Sequence, residues 1–487
     1  QPALHHDLRV IVQPAEHTLH VTDTITLPSA AGPGPVLALH AGLQPESQTP
    51  GVQLILLPAP AAGTTMPPLE HYRVVLPAGV QSFTLRYQGP IHHPLSPEAV
   101  EYRLGSRDTP GLISPDGIYL SPATAWYPQF GETLLTFRLE VMLPPGWEAI
   151  SQGGRTQYTR TAAGTSVRWE SPVVQEGIYL LGGPFTEYSA AADNVQALVF
   201  LRTRDAALAQ TYLEATARYV RLYQALLGPY LYPKFALVEN SWESGFGMPS
   251  FTLLGPKIMR LPFIVQSAYP HEILHNWWGN GVFVEAQEGN WAEGLTAYLA
   301  DHLLQEQGGS GALYRRGLLQ KYRHYVATQD DLPLTAFRVR HSAATAAIGY
   351  GKALMLFHML RQQLGEARFL QALRIFYRDY ALRRASFGAL EQVFTAVAGA
   401  EMPSLFQQWV RRPGAPELRI GSATVQSKGA EHVVHLRLEQ TQTGPAYRLR
   451  IPVAVSLTGV EQALQTVVEM TEKQVDTSLR LAAPPRR

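Results

Sequence analysis

The residues in this chain best equipped for chemistry are two histidines four positions apart with a glutamate between them, His271-Glu272-Ile273-Leu274-His275. Positions i and i+4 share one face of an α-helix, so both imidazoles can reach a single ion. Glu272 stands beside them, placed to take a proton from a water whose acidity the ion has raised. Local sequence supports a helix here: Ser267 is a candidate N-cap, Pro270 suits a first turn and Gly279 suits the end. The same spacing also suits two solvated histidines on an exposed helix face, so a third ligand is the feature that discriminates. A catalytic zinc takes three protein ligands and keeps one position open. Glu293, within Asn290-Trp291-Ala292-Glu293-Gly294, is the candidate, because Leu295, Tyr298, Leu299, His302 and Leu303 continue at helical spacing and set it in a first turn. Glu285 and Glu288 are fallbacks with no such run behind them. Asn290-x-x-Glu293 is also a capping-box pattern, in which the glutamate bonds back to the N-cap amide, and read locally that use is the favoured one.

These residues need a scaffold, and the chain's periodicities divide it in three. Leu19, Val21, Ile25 and Leu27 alternate with polar residues, as do Phe83, Leu85 and Tyr87, and Leu135, Phe137, Leu139 and Val141. Period two predicts half-buried strands, so residues 1–190 read as a β-rich domain. From Asp205 the period changes: Leu208, Tyr212, Ala215, Tyr219, Tyr223 and Leu226 recur every three or four residues until Gly228-Pro229 stops the helix. Helical spacing then dominates, giving a mostly helical domain over 191–414 that carries the motif. Pro413 and Pro416 mark a linker. Beyond it Tyr447, Leu449, Ile451, Val453, Val455 and Leu457 alternate strictly, predicting a small β-sandwich over 415–487.

At 487 residues, 46% of them apolar, there is ample material for several cores. A formal net charge of +1, with no long run of one sign, argues against a nucleic-acid partner. With no cysteine, disulfides, thiolate ligands and a cysteine nucleophile are excluded, and any zinc is held by His and carboxylate. No apolar stretch reaches the length of a membrane span; the richest, Gly51 to Gly63, is broken by prolines. A start at Gln1 and the lack of cysteine favour a secreted or cell-envelope location, with a cytoplasmic one left open.

The motifs together resemble the M1 family of zinc aminopeptidases, the gluzincins. His271 to Asn280 is similar to that family's extended zinc helix, and Trp291-Ala292-Glu293-Gly294 to its third-ligand segment. Gly349-Tyr350-Gly351-Lys352-Ala353 is similar to its Tyr-x-Lys-Gly segment, with Ala353 where Gly is usual, and Trp409 to Gly414 to its exit from the catalytic domain. The resemblance covers essentially the whole chain, without the large helical fourth domain of many members. It implies a multidomain α+β protein with an N-terminal β-rich domain, a thermolysin-like, mostly helical zinc catalytic domain and a C-terminal β-sandwich. It implies Zn2+ on His271, His275 and Glu293, general-base work by Glu272, and a hydrogen bond from Tyr350 to the oxyanion formed at a scissile carbonyl. It tips Glu293 from cap to ligand, although the gap after His275 is one residue shorter than is usual.

Two departures bear on the substrate, which the resemblance implies is a peptide or protein. The family's Gly-x-Met-Glu-Asn strand reads here Phe246-Gly247-Met248-Pro249-Ser250, so proline stands where a glutamate grips the substrate's amino group. Gly117-Ile118-Tyr119-Leu120-Ser121-Pro122 likewise lacks the carboxylate of the family's Gln-x-Glu segment. The backbone of Gly247 and Met248 remains able to line a peptide, and Glu243 or Glu239 are the nearest substitutes for the missing anchor. The expected activity is zinc-dependent peptide hydrolysis. An endopeptidase or a peptidase for modified peptides is the alternative to an aminopeptidase, and a non-catalytic scaffold is a second one. Relatives of the family include an epoxide hydrolase, for which no residue here is specific.

Overall fold

The computed structural model describes residues 4–28, 34–58, 67–97, 107–327, 330–399, 402–428 and 431–486. They form two units, residues 1–327 with 335–402, and residues 328–334 with 403–487.

The first unit opens on a seven-stranded sheet. Its strands run in the order Gly154–Thr161, Gly164–Gln175, Leu135–Leu143, Leu4–Gln13, Thr18–Thr26, Ser82–Pro90 and Glu46–Ser47. The predicted alternation is what this sheet buries: Leu19, Val21, Ile25, Phe83, Leu85, Phe137, Leu139 and Val141 are all in the core. That core continues without a break through Ile118, Leu120 and Leu181 of a four-stranded sheet to Leu198, Phe200, Val238, Met248 and Phe251. These last belong to a five-stranded sheet ordered Thr186–Ala192, Val195–Leu201, Lys234–Glu239, Phe251–Leu254, Gly245–Met248. The final strand is antiparallel and lies at the edge, with Gly247 opposite Thr252.

Asp205 caps the helix Ala206–Leu227, its carboxylate accepting the Leu208 N–H at 2.9 Å, and Gly228 ends it at φ +131°, in a region that favours glycine. The helix buries Tyr212, Ala215, Tyr219 and Tyr223, the face read from the sequence. After the edge strand come the short helix Ala268–Leu274, the helix Trp291–Ala297 and, further on, Ala353–Leu364. Two π-turns interrupt this helical region, Tyr298–His302 and Ala347–Lys352. The run 343–364 has the length and mean hydropathy, 1.2, of a membrane span, against the expectation that no apolar stretch reaches that length. With 67% of its most apolar 18-residue window buried, it is a core helix by position.

The second unit holds a three-stranded sheet, Leu418–Lys428, Glu431–Gln440 and Gln474–Leu481, and a two-stranded one, Leu449–Val455 with Leu464–Met470. Val434, Leu436 and Leu438 from the former and Val468 and Met470 from the latter share one small core, the packing of a β-sandwich.

Candidate metal centre

The helix Ala268–Leu274 brings His271 and Glu272 into the first unit's interior, and His275 follows at its C-cap, still right-handed at φ −56°. Ser267 occupies the position before the helix, but its hydroxyl donates to the Phe263 carbonyl at 2.9 Å and does not cap. Anchoring falls instead to side chains behind the helix. Trp277 Nε1–H donates to Gly228 O at 3.1 Å, and Asn276 Nδ2 donates to Ile273 O at 3.0 Å.

The second helix settles how Asn290 and Glu293 divide their work. Asn290 caps it through the Ala292 N–H at 3.2 Å, while Glu293 turns away from the cap. Glu293 Oε2 lies 3.6 Å from His271 Nε2 and 3.5 Å from His275 Nε2. The three residues' ligand atoms lie within 4.8 Å of one another, the one such group of three or more among the described residues. The neighbouring Gly294 explains the placement. A Cβ there would lie 2.2 Å from Ala353 Cβ and 3.1 Å from Gly349 O, so glycine lets this helix press against the segment carrying Tyr350.

The donor set fits a divalent cation. Distances of 3.5 and 3.6 Å are too long for hydrogen bonds, and Glu293 Oε2 is buried with none. Both imidazoles spend their other nitrogen elsewhere: His271 Nδ1–H faces Asp301 Oδ1 at 3.3 Å, and His275 Nδ1–H donates to Trp278 O at 3.0 Å. Their Nε2 lone pairs are thereby free, the arrangement metal-binding histidines adopt. Electrostatics agree. Burial opposes charge on His271, yet the Asp301, Glu293 and Glu272 carboxylates raise it well above its ordinary value. Burial likewise opposes charge on His275, and Glu293 outweighs it to raise that ring too. Burial pushes the Glu293 carboxyl up, but the His275 and His271 rings hold it well below the usual range. Three carboxylates around two imidazoles call for positive charge.

Tyr350 lies in the second π-turn, its ring parallel to that of His271 within 18° at 6.3 Å. Burial, then the Glu293 carboxylate, pushes its hydroxyl well above its ordinary value, so it is a protonated donor at neutral pH. Gly247 backs directly onto Glu272: a Cβ on it would meet Glu272 Oε2 at 2.3 Å and His275 Cδ2 at 3.5 Å. Met248 sends its side chain into the core, and Ser250 after it takes φ +64°. That strained residue is held on three sides. Its N–H donates to Asn276 Oδ1 at 2.6 Å, while buried Lys234 Nζ donates to its hydroxyl at 2.7 Å and to its carbonyl at 3.0 Å. The edge strand is thus tied to the motif helix.

Glu243 and Glu239 are not brought into this cluster. Glu243 accepts the Lys257 and Ile258 N–H groups at 3.0 and 3.3 Å. Glu239 accepts the Arg202 N–H at 2.7 Å and pairs with Arg260 at 2.6 Å. Tyr119 of the Gly117–Leu120 strand packs on Trp242 and Phe246 beside the edge strand, with ring centroids 5.6 and 6.1 Å away. Sequence reasoning missed Asp301, Lys234 and Ser250. Asp301 is eight residues past Glu293, about 80° off its face in an ideal α-helix, and only the π-turn between them swings it back.

Residues 263–409, which include His271, His275, Glu293 and Tyr350, match the Peptidase family M1 domain. The structure is similar to the M1 zinc metallopeptidase of Deinococcus radiodurans, with a TM-score of 0.65 at 20% identity, covering 85% of this chain and 94% of that one. Among curated proteins it is 24% identical over 231 residues to Aminopeptidase M1-C of Oryza sativa subsp. japonica, covering 44% of this chain and 25% of that protein. It is also 24% identical over 231 residues to leukotriene A-4 hydrolase of Xenopus laevis, covering 42% of this chain and 36% of that protein. The aligned segments thus span well under half the length of these curated relatives.

Proposed function

We propose that this chain is a zinc-dependent peptidase in which His271, His275 and Glu293 hold the ion. The observation that carries the reading is Glu293 Oε2, buried without a hydrogen bond between two imidazole nitrogens. Zinc, when bound, supplies Lewis acidity to the scissile carbonyl and lowers the pKa of a water. The chain's own groups do the rest. A Glu272 carboxylate oxygen takes the proton from the attacking water and returns it to the leaving amine. The Tyr350 hydroxyl donates to the oxyanion as the carbonyl carbon becomes tetrahedral. Asp301 holds His271 in the tautomer that leaves Nε2 free. The free edge of the Gly245–Met248 strand takes the substrate backbone as an added strand, with Gly247 leaving the room Glu272 needs.

A second reading concerns where in a peptide the cut falls. Pro249 offers no charge, and Glu239 and Glu243, the nearest substitutes in sequence, are already committed to other partners. This favours an endopeptidase, or a peptidase for blocked N-termini, over an aminopeptidase. The test is metal analysis with chelator titration, together with matched free and N-acetylated peptides. Cleavage that needs zinc and treats both peptides alike supports the second reading, and a strict need for the free amine supports an aminopeptidase. Hydrolysis indifferent to chelator, or a Glu272→Gln variant with undiminished activity, would remove the zinc and Glu272 mechanism, and no cleavage of either peptide by the zinc-loaded protein would favour a scaffold.

A further inference from the structure

Arg340 is a charge the mechanism above does not use. Its guanidinium carbon sits 5.3 Å from the centre of the Tyr350 ring. It makes no hydrogen bond or ion pair with any described residue, although the Tyr350 hydroxyl beside it also feels the Glu293 and Glu272 carboxylates. Its five N–H donors are therefore unspent beside the group that meets the reacting carbonyl.

The loop that carries it is rigidly held. The Asn290 N–H donates to Phe337 O at 2.8 Å, and Asn290 Nδ2 donates to Arg338 O at 3.1 Å, which fastens the loop to the start of the Glu293 helix. Arg338, two residues before Arg340, spends its own guanidinium on the Thr335 and Gln287 carbonyls, both at 2.7 Å. On the other side the His341 N–H donates to Thr345 Oγ1 at 3.1 Å, where Ser342 and Thr345 cap the next helix. Phe337 packs edge-on against Tyr350, at 6.2 Å between centroids, and fills the space in which any side chain at Gly349 would collide with its ring. Two arginines lie two residues apart on one strapped loop. One is consumed by the strap, and the other is presented over the catalytic tyrosine with its donors open.

We infer that Arg340 binds a carboxylate of the substrate, so that the preferred peptides carry an acidic side chain or a free C-terminal carboxylate beside the scissile bond. The inference rests on the peptidase reading and gives it a substrate class. The planar guanidinium offers a bidentate match to a carboxylate, and stacking on Tyr350 holds the fork in place before substrate arrives. The departure at position 249 runs the same way: where a glutamate would attract an ammonium the chain has Pro249, and Arg340 adds a cation beside Tyr350.

The experiment uses three peptides of one sequence: C-terminally amidated, with a free C-terminus, and amidated with a Glu next to the scissile bond. Each is assayed on the zinc-loaded wild type, Arg340→Gln and Arg340→Lys. The free or the Glu peptide should exceed the neutral one in kcat/KM by roughly tenfold to a hundredfold, chiefly through KM, as expected of a charge-assisted hydrogen bond. Which of the two gains identifies the carboxylate's source. Arg340→Gln should bring that preference ratio close to one, and Arg340→Lys should restore part of it. Three peptides cleaved equally well by the wild type would overturn the inference while leaving the peptidase reading intact. So would a preference that survives Arg340→Gln, or a loss in kcat shared by all three, which marks Arg340 as mere support for Tyr350. No zinc-dependent cleavage of any of them would overturn the peptidase reading itself.

Discussion

Replacing Gly247 with alanine adds one methyl group to the structure and aims it at the base. The new Cβ would sit 2.3 Å from Glu272 Oε2, where ordinary contact begins near 3.4 Å, so the carboxylate must retreat by about 1 Å. It can do so at little cost to the fold, because the obstructed atom is the tip of a flexible side chain and alanine suits a strand at least as well as glycine. We expect the stability change to stay within about 1 kcal/mol. Zinc content should hold as well, since the nearest atom of a ligand residue, His275 Cδ2, is 3.5 Å from the methyl, an ordinary contact. Catalysis has no such tolerance. A base displaced by about 1 Å from its working position costs on the order of a hundredfold in rate, or about 2.7 kcal/mol of barrier. The assay is kcat/KM on one chromogenic peptide, read beside zinc content and the thermal midpoint of the same preparation. A Gly247→Ala enzyme with wild-type kcat/KM would refute the reasoning, as would a loss that tracks zinc release or unfolding.

Tyr350→Phe should lower kcat by about 10²–10³-fold with zinc retained, and an unchanged kcat would take the oxyanion contact away from this residue. Asp301→Asn should weaken zinc binding about tenfold to a hundredfold in competition with a chelator, and wild-type affinity would mean that the His271 ring is oriented by something else. Burial holds His40, His302 and His358 down to about 4 from an ordinary 6.5, helped by His93 at the first and by Arg315 at the other two. These rings stay neutral in the fold and gain protons on unfolding, so their contribution is complete above pH 6.5 and is lost as pH falls towards 4. The thermal midpoint should drop across that window, and a flat profile would show the rings to be solvated.

Much of this protein was written along the chain. Period-two runs identified the N-terminal and C-terminal sheets because a strand with one buried face must alternate, and the Asp205–Gly228 helix announced both its cap and its stop. The pair His271 and His275 was legible because four residues nearly complete a helical turn. What lay beyond the sequence was every relation between segments. Asn290-x-x-Glu293 read locally as a capping box, and only the close approach at Gly294 shows that Asn290 caps alone while Glu293 reaches the histidines. Asp301 was invisible because a regular helix would turn it off the ligand face, and the π-turn that restores it is a tertiary feature. Proximity in sequence nominated Glu243 and Glu239 as amine anchors, yet folding gave each carboxylate other partners. Nothing in the sequence singles out Arg340, and only the fold lays it over Tyr350. Short-range geometry is set by backbone periodicity and can be counted from sequence. A site assembled from residues 234 to 353 depends on which faces the packed core brings together, and that was decided by the tertiary structure alone.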